Sequence, residues 1–188
     1  MSWNAFHNRG ETLRTVVDTA NERRDGVLPV SVPGVAENFR DELDLIGALL
    51  LKWHARLSGN IERSLTREPM DLESAVADAW HTTAEQLPGV RMVIDRCTDS
   101  PDSPEMAQAM TRAREHEWAR LATAAGLASR PDRAAITVGR RVEELARLQM
   151  AAAAEAPESP QVPTPRVAST HEPASVSFVD RIKAVIAA

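Results

Sequence analysis

The chain has 188 residues, 43 % of them apolar, and a formal net charge of −5; that suffices for one domain with one modest core. Thirty of the apolar positions are Ala, there is no Tyr, and Lys52 and Lys183 stand against twenty Arg. The interspersed, net acidic charge excludes a dedicated nucleic-acid binder, because neutralising phosphates requires a basic face.

Trp3, Phe6, Gly10, Leu13, Val17 and Ala20 recur at spacings of three and four, which predicts a first helix ending near Gly26. Residues 27 to 34 hold two prolines and read as an extended connection, with Leu28, Val30 and Val32 on one face. Val35, Phe39, Leu43, Ile46, Leu50, Trp53, Leu57 and Ile61 then keep the helical period for about thirty residues. A second helix of that length would run about 45 Å. Pro69 and Met70 break the pattern, and Asp71 is placed to cap a third helix reaching Leu87.

Pro88-Gly89 opens a short helical continuation to about Thr98, and Ser103 with Pro104 starts another helix that runs to about Ala128. A further helix is expected from about Asp132 to Ala154, with Glu143 and Arg147 as a surface pair four residues apart. No strand pair with hairpin turn chemistry occurs. The fold class is therefore all-α: a helical bundle of about five or six helices spanning residues 1–155.

The composition then changes. Residues 156–175 contain Pro157, Pro160, Pro163, Pro165 and Pro173 and read as a Pro-rich flexible linker. Residues 176–188 turn apolar again, and at ~100° per residue Phe178, Val179, Ile182, Val185 and Ile186 share an arc of about 120°. That pattern predicts a short C-terminal amphipathic helix, too short to be stable in water unless it docks, either back onto its own bundle or on another protein or subunit. The layout is similar to that of cargo proteins whose terminal peptide docks them into a protein shell. Arg181 and Lys183 against Asp180 leave a surplus of one positive charge, a poor match to an anionic membrane surface.

Gly-rich phosphate loops, Gly-x-Ser-x-Gly elbows, His-Glu-x-x-His pairs and paired cysteines are absent. Lone Cys97 reads as a small apolar filler. His7, His54, His81 and His116 fall one on each of four helices, each near a Trp, and antiparallel packing would bring several to one level. In outline this is similar to ferritin-like and DinB-like helical metalloproteins, although their Glu-x-x-His pairs are replaced here, at best, by Asp78-x-x-His81. Helical facing decides between the readings. His7 and His54 flank their apolar stripes while His81 and His116 point away, so no metal site is favoured and no cofactor is expected.

Glu42 and Arg114 lie along apolar stripes, either at their edges with the Arg stem over apolar surface and its head in water, or as a candidate buried pair. With one Cys and an N-terminus unlike a signal peptide, a cytoplasmic and, from its Ala and Arg bias, bacterial protein is expected. The leading functional expectation is a non-enzymatic interaction or adaptor protein. Its C-terminal helix would dock on a partner protein or a second subunit, through Phe178, Val179, Ile182, Val185 and Ile186. The alternative is a metal- or small-ligand-binding bundle, an oxidoreductase or hydrolase using its boundary His and Trp residues.

Overall fold

A computed structural model describes the backbone of residues 3–155 and the side chains of residues 7–152. Over that span the protein is all-α, with seven helices and no strand: α1 (Trp3–Arg23), α2 (Val35–Asn38), α3 (Glu42–Arg67), α4 (Leu72–Gln86), α5 (Pro88–Asp99), α6 (Pro104–Ala124) and α7 (Arg133–Glu155). The Pro-rich segment and residues 176–188 lie outside the described residues, as do Phe178, Val179, Ile182, Val185 and Ile186.

Helix boundaries follow the local chemistry. α1 ends at Arg23, and the chain turns at Arg24 and Gly26, both with positive φ. Asp71 accepts the Ser74 N–H at 3.1 Å to start α4, and Ser103 accepts the Met106 N–H at 3.1 Å to start α6. Each such cap satisfies one of the N–H groups a helix start leaves unpaired, worth about 1 kcal/mol.

Two expectations are corrected. The single long helix from Val35 is split into α2 and α3. Phe39 is extended at φ −125°, ψ 137°, and the Asp41 carboxylate accepts the Asp44 N–H at 2.7 Å to begin a new helix. Phe39 keeps its place in the hydrophobic period, so the stripe runs on through the break. The expected shared face of Leu28, Val30 and Val32 is also absent. Turn-type bonds from Val30 N–H to Leu28 O and from Val32 N–H to Pro29 O bend the segment. Val32 is thereby buried while Val30 is left 45 % exposed.

The core draws on all seven helices. Leu45, Ile46, Leu49 and Trp53 of α3 meet Val76 and Trp80 of α4, Val90 and Val93 of α5, Met110 and Leu121 of α6 and Val142 of α7, all essentially inaccessible to solvent. Val16, Val17 and Ala20 of α1, Val35 of α2 and the connecting Val32 and Phe39 also belong to it. Two glycines set close approaches. A Cβ on Gly89 would sit 1.8 Å from the Ala20 carbonyl oxygen, and one on Gly139 would sit 1.8 Å from that of Trp118. The first contact presses the start of α5 against α1, where the Asn21 side chain accepts the Gly89 N–H at 3.0 Å. The second sets α7 against α6. Among the described residues, no helix is long and apolar enough to cross a membrane.

Candidate functional site: a buried charged cluster

Five helices converge on a group of charges inside the apolar core. α3 supplies Trp53 and His54, α4 Trp80, α5 Arg91 and Asp95, α6 Glu117, and α7 Glu143 and Arg147. Each of α5 and α7 presents its charges at i and i+4, one turn apart on a single face. Glu117, Arg91 and Glu143 are 5 %, 6 % and 5 % exposed, and charged residues are rarely so deeply buried unless paired.

Glu117 is the hub. Its Oε2 accepts hydrogen bonds from Trp53 Nε1 at 2.8 Å and His54 Nε2 at 3.2 Å. Its Oε1 accepts from Trp80 Nε1 at 2.9 Å and Arg91 Nη1 at 3.2 Å. Four donors fill the four acceptor positions of one carboxylate. Arg91 also donates to Asp95, from Nε at 3.0 Å and from Nη2. Arg147 clasps Asp95 from Nη1 at 3.2 Å and Nη2 at 2.9 Å, and Glu143 from Nε at 2.9 Å and Nη2 at 2.7 Å. Trp118 Nε1 donates to the other oxygen of Glu143.

Aromatic faces finish the enclosure. The Arg91 guanidinium lies 5.0 Å from the Trp53 ring centroid and 5.3 Å from that of Trp80, and Arg147 lies 4.9 Å from Trp80. The two indoles meet edge to face with centroids 5.7 Å apart. Cations over aromatic faces gain more where water is excluded.

The electrostatics follow from this wiring. Burial by itself would raise the Glu117 carboxyl, but the His54 bond, the Arg91 charge and the Trp80 bond outweigh it and hold the group at about 2. For Asp95 too, burial pushes upward, and the charge and bonds of Arg91, joined by those of Arg147, prevail and lower it. Burial opposes the charge on Arg91, yet the surrounding Glu117, Asp95 and Glu143 raise its pKa above the ordinary arginine value. Glu117, Asp95 and Arg91 are therefore all charged at neutral pH.

Chemically, the cluster is saturated. A working acid, base or ligand set needs an open coordination position or a lone pair facing substrate, and the Glu117 oxygens have none to spare. The adjoining void, bounded in part by Arg91, Thr98, Glu117 and Glu143, measures about 10 Å³, room for one water at most. On its outer side Asp95, Glu143 and Arg147 line a cleft of about 460 Å³, with Trp118 and Arg114 among its other walls. Its charges pair with one another, as in Arg140–Glu144 at 3.4 Å.

The sequence-derived candidates fall as follows. His7 is exposed beside Glu11 at 3.3 Å, His81 is half-buried beside Glu85 at 3.5 Å, and His116 is exposed. His54 alone of the four reaches the cluster. Among the described residues, no group of three or more His, Cys, Asp or Glu is arranged to hold a metal ion. The candidate Glu42–Arg114 pair does not form. Glu42 is exposed in the first turn of α3, and Arg114 lies over Trp118 at 5.6 Å with Asp99 as its ion-pair partner at 3.8 Å. The pair Glu143 and Arg147, read as a surface feature, forms at 2.7 Å, but Glu143 is buried and only Arg147 keeps part of its side chain in solvent.

Sequence reasoning passed over Glu117, Arg91 and Asp95, although a signal for the first was present. Met106, Met110, Glu117 and Leu121 follow the helical period, so Glu117 occupies a core position on α6. Cys97 is buried in the core, its thiol pushed up by desolvation and by the charges of Asp102 and Glu42. No protein-family model, curated protein or solved structure matches the chain.

Proposed function

We propose that this chain is a non-enzymatic helical interaction protein whose tethered C-terminal segment docks on a partner protein or a second subunit. The observation that carries the reading is the return of an apolar helical pattern at Phe178, Val179, Ile182, Val185 and Ile186 after five prolines. Chain of that composition between two apolar regions acts as a spacer, and a thirteen-residue amphipathic helix gains stability by laying its apolar face in a groove. Tethering raises its effective concentration near whatever the rest of the chain holds. The saturated cluster supports the same division of labour. Its charges are spent on one another, which suits a bundle that serves as a stable carrier.

Affinity capture from the native host tests this, using the full chain beside a Phe178→Asp/Ile182→Asp variant. The wild type is expected to retain a partner, or a second copy of itself, that the variant loses while melting at the same temperature. Equal retention by both chains would refute docking through that apolar face.

A further inference from the structure

Glycine inside a helix costs about 1 kcal/mol relative to Ala, so a helical glycine calls for a packing reason. Gly89 and Gly139 have theirs in the backbone contacts with Ala20 and Trp118. Gly10 on α1 and Gly47 on α3 do not: a Cβ built on either meets nothing within 4 Å. Both open onto one groove of about 650 Å³ between α1 and α3, with walls that include Leu13, Leu43, Leu51 and Ala55. Leu51 is 72 % exposed and Leu43 37 %. The feature therefore combines two backbones stripped of side chains with two leucines standing in solvent beside them.

Leu43, Gly47, Leu51 and Ala55 form an i, i+4 row, the ridge that packs into the matching groove of another helix. The charges along α3 say which helix. Asp41 caps it and Glu42 and Asp44 lie in its first turn, Asp44 already held by Arg9 at 2.8 Å, while Lys52 and Arg56 follow two to three turns later and make no ion pair among the described residues. Arg40 lies back towards Asp44 at 3.8 Å. A helix acidic at its start and basic further along repels a parallel copy and attracts an antiparallel one.

We propose that this face is an interface between two copies of the chain, with α3 packed antiparallel against its own twofold mate about Gly47. A twofold axis there sets residue 47 + k opposite 47 − k. Leu51 of one copy then lies beside Leu43 of the other, over the space left by Gly47 and Gly10. Lys52 reaches the acidic first turn of the other α3. The contact is isologous and closes on itself, giving a dimer and no larger array. It depends on α1 and α3 alone and stands apart from the docking of residues 176–188.

Sedimentation of the full-length chain over a range of concentrations tests the interface, with circular dichroism as the check on folding. The wild type is expected to dimerise. Leu51→Asp, at a site already mostly in water, should keep the wild type's helical content and weaken the dimer at least about 30-fold, as loss of a central apolar contact does. Under mild oxidation Gly47→Cys, on the axis, should cross-link two chains. Gly59→Cys, which falls opposite residue 35, should not, and the wild type with its buried Cys97 is the blank. The proposal is overturned by a wild type that stays monomeric, by a dimer that tolerates Leu51→Asp, or by equal cross-linking at 47 and 59. A dimer kept by Leu51→Asp but lost in Phe178→Asp/Ile182→Asp would also overturn it, and would assign the contact to the C-terminal segment instead.

Discussion

Replacing Glu117 by Gln keeps the shape of the hub and removes its charge, which makes it the sharpest probe of the buried cluster. The amide offers one acceptor oxygen where the carboxylate offered two, and its NH2 then faces N–H groups that need an acceptor. One oxygen of the carboxylate serves Trp53 and His54 and the other serves Trp80 and Arg91, so either amide orientation leaves two donors unpaired. Arg91 also loses its most deeply buried counter-charge. Breaking a buried ion pair from one side costs about 3–5 kcal/mol.

An independent route gives a similar size. A carboxyl held at about 2 when its ordinary value is 4.5 contributes on the order of 3 kcal/mol to folding at neutral pH. Urea unfolding followed by far-UV circular dichroism and Trp fluorescence measures the loss. The control is Glu144→Gln, whose partner Arg140 is more than half exposed and whose removal should cost less than about 1 kcal/mol. A Glu117→Gln cost below about 1 kcal/mol, or one equal to the control, would refute the claim that the cluster holds the bundle together.

Further outcomes follow from the same geometry. Because the folded Glu117 carboxyl is depressed, its stabilisation is full above pH 4.5 and fades as pH falls towards 2; acid titration of the wild type should therefore show a steeper loss over that window than Glu117→Gln does. Gly89→Ala drives a methyl into the Ala20 backbone at 1.8 Å and should cost several kcal/mol, whereas Gly59→Ala, whose Cβ meets only Arg63 Nη1 at 3.6 Å, should stabilise α3 by about 0.4–1 kcal/mol. Thermal melts of the two variants give the signs. Asp71→Ala removes the acceptor for the Ser74 N–H and should lower stability by about 1 kcal/mol, while Asp71→Asn should restore most of it.

Much of the helical order was legible because breakers and caps act locally. Asp71, Pro88, Ser103 and Pro104 each mark a boundary within a residue or two of where it falls. The split at Phe39 was not legible, since Phe39 keeps its place in the hydrophobic period and Asp41 becomes a cap only through its bond to Asp44. The site was harder for a related reason. A carboxylate on an apolar stripe reads as an error or an edge until its partners are known, and those of Glu117 come from three other helices, at separations of 26 to 64 residues. Arg114 drew attention because it lies between Met110 and Trp118. The residue that faces the core is Glu117, about 60° away around the helix at ~100° per residue. Periodicity finds the face of a helix, but pairing between helices is a tertiary fact.

The central functional claim is that recognition resides in the C-terminal segment while the bundle carries it. Fusing residues 157–188 to an unrelated soluble carrier tests this most directly, with the full chain captured in parallel. The account predicts that the fused carrier retains the same partner as the full chain and that Phe178→Asp/Ile182→Asp in the fusion abolishes it. A fusion that captures nothing, while the full chain bearing those two substitutions still binds its partner, would contradict it.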